Sequence, residues 1–160
     1  MPKIGEADVH CFNQVDLLKS ARPRCTLLPA TPDYETARKS YWSKQQANTT
    51  PYCIYQPQDA QDVAIALEIL QKTQCPFGIR SGGHGRLAGE SSISAGVLID
   101  LSCLKKLQLS EDKSVCHVGP GHRWVDVYTY LNPLGLTAVG GRSSSVGVGG
   151  FCISGQHLVS

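Results

Sequence analysis

Two runs of glycine constrain this chain more than anything else in it: Ser81-Gly82-Gly83-His84-Gly85, and Gly140-Gly141 continuing through Gly147, Gly149 and Gly150. Glycine lacks a Cβ, so it permits positive φ and lets a backbone approach a guest closely. Consecutive N–H groups in such a run converge into an anion-binding concavity, for which phosphate or pyrophosphate is the natural occupant. Other phosphate motifs are absent. No Gly-Lys-Ser/Thr exists, so there is no Walker A loop. Gly147-Val148-Gly149 is followed three residues on by Cys152, and Gly119-Pro120-Gly121 by Trp124, so neither completes GxGxxG. The serines at 143–145 form no GxSxG elbow, which argues against a hydrolase.

Around the glycines the pattern alternates between strand and helix. Tyr52-Cys53-Ile54-Tyr55 is β-prone and ends at Pro57. From Asp59 to about Thr73, Val63, Ala66, Leu67 and Leu70 recur at i, i+3, i+4 and i+7, the spacing of one helical face. Pro76 closes that helix, and Phe77-Gly78-Ile79-Arg80 reads as the next strand. Strand, helix and strand with short links form a βαβ unit with parallel strands. Val97–Leu101 is a buried-strand pattern, and Ser114–Val118 another, after a polar turn at Glu111-Asp112. A second helical stripe, Trp124, Val127, Tyr128 and Leu131, lies within His122–Leu131 and reads as core. Residues 1 to about 50 are irregular and polar, broken by Pro23, Pro29 and Pro32, with one short helix over Asp33–Trp42 capped by Asp33.

Charge narrows the partners. The chain carries 15 Lys+Arg against 13 Asp+Glu, net +2, with no basic run longer than a pair such as Lys105-Lys106. Nucleic-acid binding would need a basic patch. No stretch approaches the ~20 apolar residues of a membrane span. The first residues show no apolar secretory core, while Asn48-Thr49-Thr50 is a glycosylation sequon that matters only in a secreted protein, so the compartment stays unassigned. None of the seven cysteines forms CxxC or a zinc-type Cys/His spacing, so no metal is expected. Cys75, Cys103 and Cys116 read as small buried residues beside strands.

Four segments in order carry a resemblance: Pro76–His84, Gly96–Ser102, Val118–Trp124 and Gly140–Gly150. Together they resemble the PCMH-type FAD-binding domain of the vanillyl-alcohol-oxidase superfamily. The nearest branch is the berberine-bridge-enzyme-like oxidoreductases, especially fungal members of natural-product pathways. Tyr41-Trp42-Ser43 and Pro51-Tyr52-Cys53-Ile54 fit the same branch, and the likeness runs from about Leu28 to Phe151. It implies an α+β fold: a βαβ unit plus a mixed sheet with flanking helices, C-terminally incomplete. Residues 1–48 would be an irregular or helical N-terminal segment and 49–160 the FAD-binding domain.

The resemblance also assigns residues. Arg80, Ser81, Gly82, Gly83, His84 and Gly85 would wrap the FAD pyrophosphate, with His84 bonded covalently to the flavin 8α-methyl. Gly141, Ser145, Val146, Gly147, Gly149 and Gly150 would form the second FAD-contacting loop. Doubly attached members carry cysteine in the place of Ser143, so serine there implies a single histidyl link, and Cys152 would serve packing. In an oxidising compartment Cys53 would pair with Cys11 or Cys25. After Phe151 the family pattern is lost, with Gly155 the one glycine retained, so the chain reads as a short product or a truncated gene model lacking the substrate domain. The implied activity is hydride transfer from a small organic substrate to FAD, with dioxygen as an acceptor. The alternative is a non-catalytic flavin- or nucleotide-binding remnant.

Overall fold

The computed structural model describes residues 6–154, so Gly155 lies outside the described residues. Its first element is a helix, α1 (Glu6–Ala21), where the sequence suggested irregular chain. Cys11, Val15 and Leu18 recur at i, i+4 and i+7 and are buried, with Gln14 enclosed beside them. A short 3-10 turn at Pro23–Cys25 leads into β1 (Thr26–Leu27). Helix α2 (Pro32–Lys39) follows, capped by Thr31, whose Oγ1 accepts the Tyr34 N–H at 3.3 Å. Asp33 is therefore inside the first turn rather than at the cap, and the helix ends before Trp42. One more turn, α3 (Lys44–Ala47), completes the segment.

The βαβ unit stands as β2 (Cys53–Tyr55), α4 (Ala60–Thr73) and β3 (Phe77–Arg80). Asp59 caps α4 through its Oδ1, which accepts the Asp62 N–H at 2.9 Å. The buried stripe is Asp62, Ala66 and Leu70, while Leu67 is exposed, so the face is rotated from the one the spacing suggested. The helix stops at Gln74, which takes the left-handed conformation (φ 54°) two residues before Pro76.

Strand β4 (Val97–Asp100) is buried at all four positions, as a strand covered on both faces should be. It runs parallel to both β2 and β3 and lies between them, giving the order β1-β2-β4-β3. β1 pairs antiparallel with β2, with Thr26 opposite Tyr55. Alternation then divides the side chains. Cys53, Tyr55, Val97 and Ile99 pack toward α1 and α4, and Ile54 and Leu98 pack with Tyr34 of α2. β1 and β2, on either side of residue 48, share one sheet and one core.

A smaller unit follows. β5 (Leu107–Leu109), not anticipated, pairs antiparallel with β6 (Cys116–Val118) around the polar turn. Helices α5 (Trp124–Leu131) and α6 (Val148–Ile153) supply its core, in which Trp124, Val127, Leu131 and Val148 are buried and Tyr128 is half-buried. The architecture is α+β with a mixed sheet and flanking helices.

The cysteines require a correction. The disulfide joins Cys11 to Cys75, with Cα atoms 5.6 Å apart, tying α1 to the chain between α4 and β3. Cys53 and Cys25 are free and buried. Burial pushes the Cys53 thiol up to about 12, and burial plus the neighbouring Asp62 carboxylate pushes Cys25 to about 11. Cys53 faces the core within its strand, so the expected Cys53 pairing does not form. Cys103 and Cys152 are exposed and Cys116 half-buried, so the packing role expected of Cys152 does not hold, nor does full burial of the other two.

Candidate cofactor-binding site

The parallel strands deliver the first glycine run to their carboxyl ends, the position where open parallel sheets place ligands. Arg80, the last residue of β3, turns inward. Its Nε and Nη2 donate to the Asp100 carboxylate at 3.1 and 2.7 Å, its Nη1 donates to the Ala37 carbonyl at 2.8 Å, and its guanidinium lies 4.6 Å from the Tyr41 ring centre. Burial alone would raise the Asp100 carboxyl, but the Arg80 bonds, with Gln56 and Ser102, outweigh it and hold it below the usual range. Arg80 therefore anchors the loop from behind, its guanidinium committed to these partners.

Beyond Arg80 the loop is held from outside. Trp42 Nε1 donates to the His84 carbonyl at 2.9 Å, Gln46 Nε2 donates to the Gly85 carbonyl, and Ser43 Oγ donates to the Arg86 carbonyl at 2.5 Å. Gly82 offers its carbonyl to Arg123 at 3.3 Å. By contrast, the N–H groups of Gly82, Gly83, His84 and Gly85 have no acceptor among the described residues. Gly83 has φ 64°, so the run contains the left-handed step on which an anion nest depends. His84 is exposed, its ring 6.3 Å from that of Trp42.

The second run meets the first without intervening side chains. A Cβ on Gly82 would collide with the Gly147 backbone, and one on Gly147 with that of Gly82. Ser81 joins three loops: its Oγ donates to the Pro120 carbonyl at 2.6 Å and accepts the Gly149 N–H at 3.2 Å. Trp124 fixes the run from below. A Cβ on Gly140 or Gly141 would enter its indole ring, and Phe151 packs edge-on against it at 5.3 Å. Tyr128 donates its hydroxyl to the Gly141 carbonyl at 2.9 Å. Packing leaves no room for a side chain at these positions: Gly82 and Gly147 lie against each other's backbone, and Gly140 and Gly141 against the Trp124 ring.

The two runs enclose a cleft of about 1310 Å³. Of the residues singled out from sequence, Ser81, Gly82, Gly83, His84, Gly85, Gly141, Val146, Gly147, Gly149 and Gly150 line it. Arg80 and Ser145 do not; the Ser145 hydroxyl sits 3.2 Å from that of Ser143. A second cleft of about 630 Å³ lies across the Ser81–Gly83 backbone, with the Arg80–Asp100 pair in its wall. The larger cleft alone touches both runs, and it exceeds the ~300–1,000 Å³ usual for a drug-sized ligand. Free amides, walls without Cβ atoms and a volume above the usual range fit FAD. Tyr41, which stacks on Arg80, and Trp42, Ser43 and Gln46, which hold the loop, carry no functional signal of their own in the sequence. The Tyr41-Trp42-Ser43 match lies far upstream and names no partner, and Gln46 lies outside it.

Parallel strands ending in glycine loops around a large cleft define a domain for a nucleotide cofactor. Residues 51–158 match the family described as FAD binding domain, and the chain belongs to that family. It is 43% identical over 129 residues to the FAD-dependent monooxygenase macF of Penicillium terrestre, covering 80% of this chain and 25% of that protein. It is 42% identical over 131 residues to the FAD-dependent monooxygenase yanF of Aspergillus niger, covering 81% of this chain and 22% of the relative. The fold is that of the wild-type BBE-like 1 protein of Physcomitrella patens, with TM-score 0.68 and 21% identity over 85% of this chain and 29% of that one. The chain thus spans about a quarter of the length of these curated relatives. Among the described residues no helix is long and apolar enough to cross a membrane, and no metal-ligating cluster occurs.

Proposed function

We propose that this chain is the cofactor-gripping part of an FAD-dependent oxidoreductase that oxidises a small organic molecule, with a place in fungal natural-product chemistry and dioxygen as electron acceptor. The carrying observation is the row of unpaired amides from Gly82 to Gly85, residues that line the larger cleft. When bound, the flavin accepts a hydride from the substrate. The chain's own residues do the holding. The Gly82–Gly85 amides receive the diphosphate oxygens, and Ser81 locks the loop to Pro120 and Gly149. Gly147, Gly149 and Gly150 close the far wall. His84, exposed at the end of the loop, offers a ring nitrogen as the covalent attachment point.

The experiment is reconstitution of the chain, and of a longer version carrying the rest of the relatives' length, with FAD. Quenching of flavin fluorescence reports binding. Flavin retained after acid precipitation, with its mass on the tryptic peptide holding His84, reports attachment. His84→Ala should release the flavin under acid while still binding it. Flavin freed from the folded wild-type protein by acid would refute the covalent bond and leave FAD binding standing. Substrate oxidation by the longer version would exclude a non-catalytic remnant.

A further inference from the structure

Trp42, Ser43 and Gln46 belong to one short stretch, yet their side chains take the carbonyls of three successive residues, His84, Gly85 and Arg86. In a trans peptide unit the C=O and the following N–H point in opposite directions. No cis bond occurs among the described residues, so holding a carbonyl aims the next amide. The amides that follow Gly85 and Arg86 are consumed locally: those of Arg86 and Leu87 donate to Glu90 Oε2 at 2.6 and 3.2 Å. The amide that follows His84, that of Gly85, has no acceptor among the described residues, and Gly85 lines the larger cleft. Gly82 repeats the device, since Arg123 holds its carbonyl and the Gly83 amide is left unpaired. Trp42 is itself 61% exposed, so core packing does not account for a large aromatic there.

Resting on the flavin reading above, we propose that Trp42 is a positioning residue for diphosphate recognition. Its indole N–H draws the His84 carbonyl outward and so presents the Gly85 amide to the anion before the anion arrives. Pre-aimed dipoles need no reorganisation on binding, which is where such a bond gains its effect. The Gly83 amide, aimed by a different side chain, is the internal control.

The test is titration of the ¹⁵N-labelled chain with inorganic pyrophosphate, comparing wild type with Trp42→Phe, which keeps a ring and loses the N–H. In the wild type the Gly83 and Gly85 amide resonances should both move on binding. In Trp42→Phe, affinity should fall about three- to tenfold, the net worth of one hydrogen bond. The Gly85 response should shrink while that of Gly83 persists, and the unfolding midpoint should not change. Wild-type affinity with an undiminished Gly85 response overturns the positioning role and leaves the cofactor reading intact. A loss shared equally by Gly83 and Gly85 overturns it too, since that marks general loosening of the loop. If neither wild-type amide moves, the loop assignment falls and this proposal with it.

Discussion

Gly83 answers two demands at once: its φ is 64°, and an added Cβ would sit 3.1 Å from the Tyr41 ring. The left-handed conformation alone costs a residue with a side chain about 1–2 kcal/mol. Gly83→Val should therefore abolish FAD retention while helix α4, elsewhere in the fold, keeps its helicity. Fluorescence titration and circular dichroism check the two halves of that statement; retained flavin would count against the loop. Asp100 carries the second residue-scale prediction. Its carboxyl is held below its unfolded range, so its stabilisation is full above pH ~4 and fades as pH falls through the folded value. Asp100→Asn leaves buried Arg80 without its counter-charge and should cost about 3–5 kcal/mol at neutral pH. The urea midpoint, followed from pH 7 to 3, should drop steeply in the wild type and less steeply in the variant. Residues of this kind were half legible. The glycines announced themselves, but that Arg80 faces Asp100 rather than the cleft follows only from the β3–β4 pairing, which places Arg80 opposite Asp100.

At the scale of elements, strands and helices with strong periods were readable, and those with mixed ones were not. α4, β3 and β4 stand close to where their patterns put them. α1 was lost because its inner stripe includes Gln14, a polar residue fully enclosed there, which breaks the apolar period. β1 and β5 have two and three residues, and neither holds the Val, Ile or aromatic side chains that mark β2 and β6. Pro76 reads as the end of α4, but the helix stops at a left-handed Gln74, which composition does not distinguish from any other helix-terminal glutamine. That position offers a gain: Gln74→Gly should stabilise the chain by about 0.5–1 kcal/mol, read from the urea midpoint, because glycine adopts positive φ without a Cβ penalty. The link between α1 and the end of α4 gives another. It closes a sequence separation of 64 residues, for which chain entropy suggests about 4 kcal/mol. Alkylation of the unreduced, denatured protein should label Cys25, Cys53, Cys103, Cys116 and Cys152, and Cys11→Ser with Cys75→Ser should lower the melting temperature markedly. Labelling of Cys11 or Cys75 would show the link absent.

Across the whole molecule, two packed units meet at backbone, and several large apolar side chains are left open. β3 is a sheet edge with Phe77 and Ile79 half exposed, and Val139 and Ile153 stand open on the cleft rim at 76% and 88%. Open edges and apolar patches of this kind recruit other chains. The chain on its own should therefore sediment as associated species, and Ile79→Lys should shift it toward monomer; a wild-type chain that stays monomeric at all concentrations would contradict this. The insertion of β4 between β2 and β3 has one more consequence, and it concerns synthesis. The ribosome delivers β2, α4 and β3 first, and none of these strands pairs with another of them. Neither parallel pairing of the sheet can be completed until Asp100, 20 residues after its partner Arg80, has emerged. At about 5–20 residues per second that wait lasts roughly one to four seconds. During it, β2 and β3 both lack their shared parallel partner. The segment 81–96, which bears the cofactor loop, is also the tether whose length sets when β4 arrives.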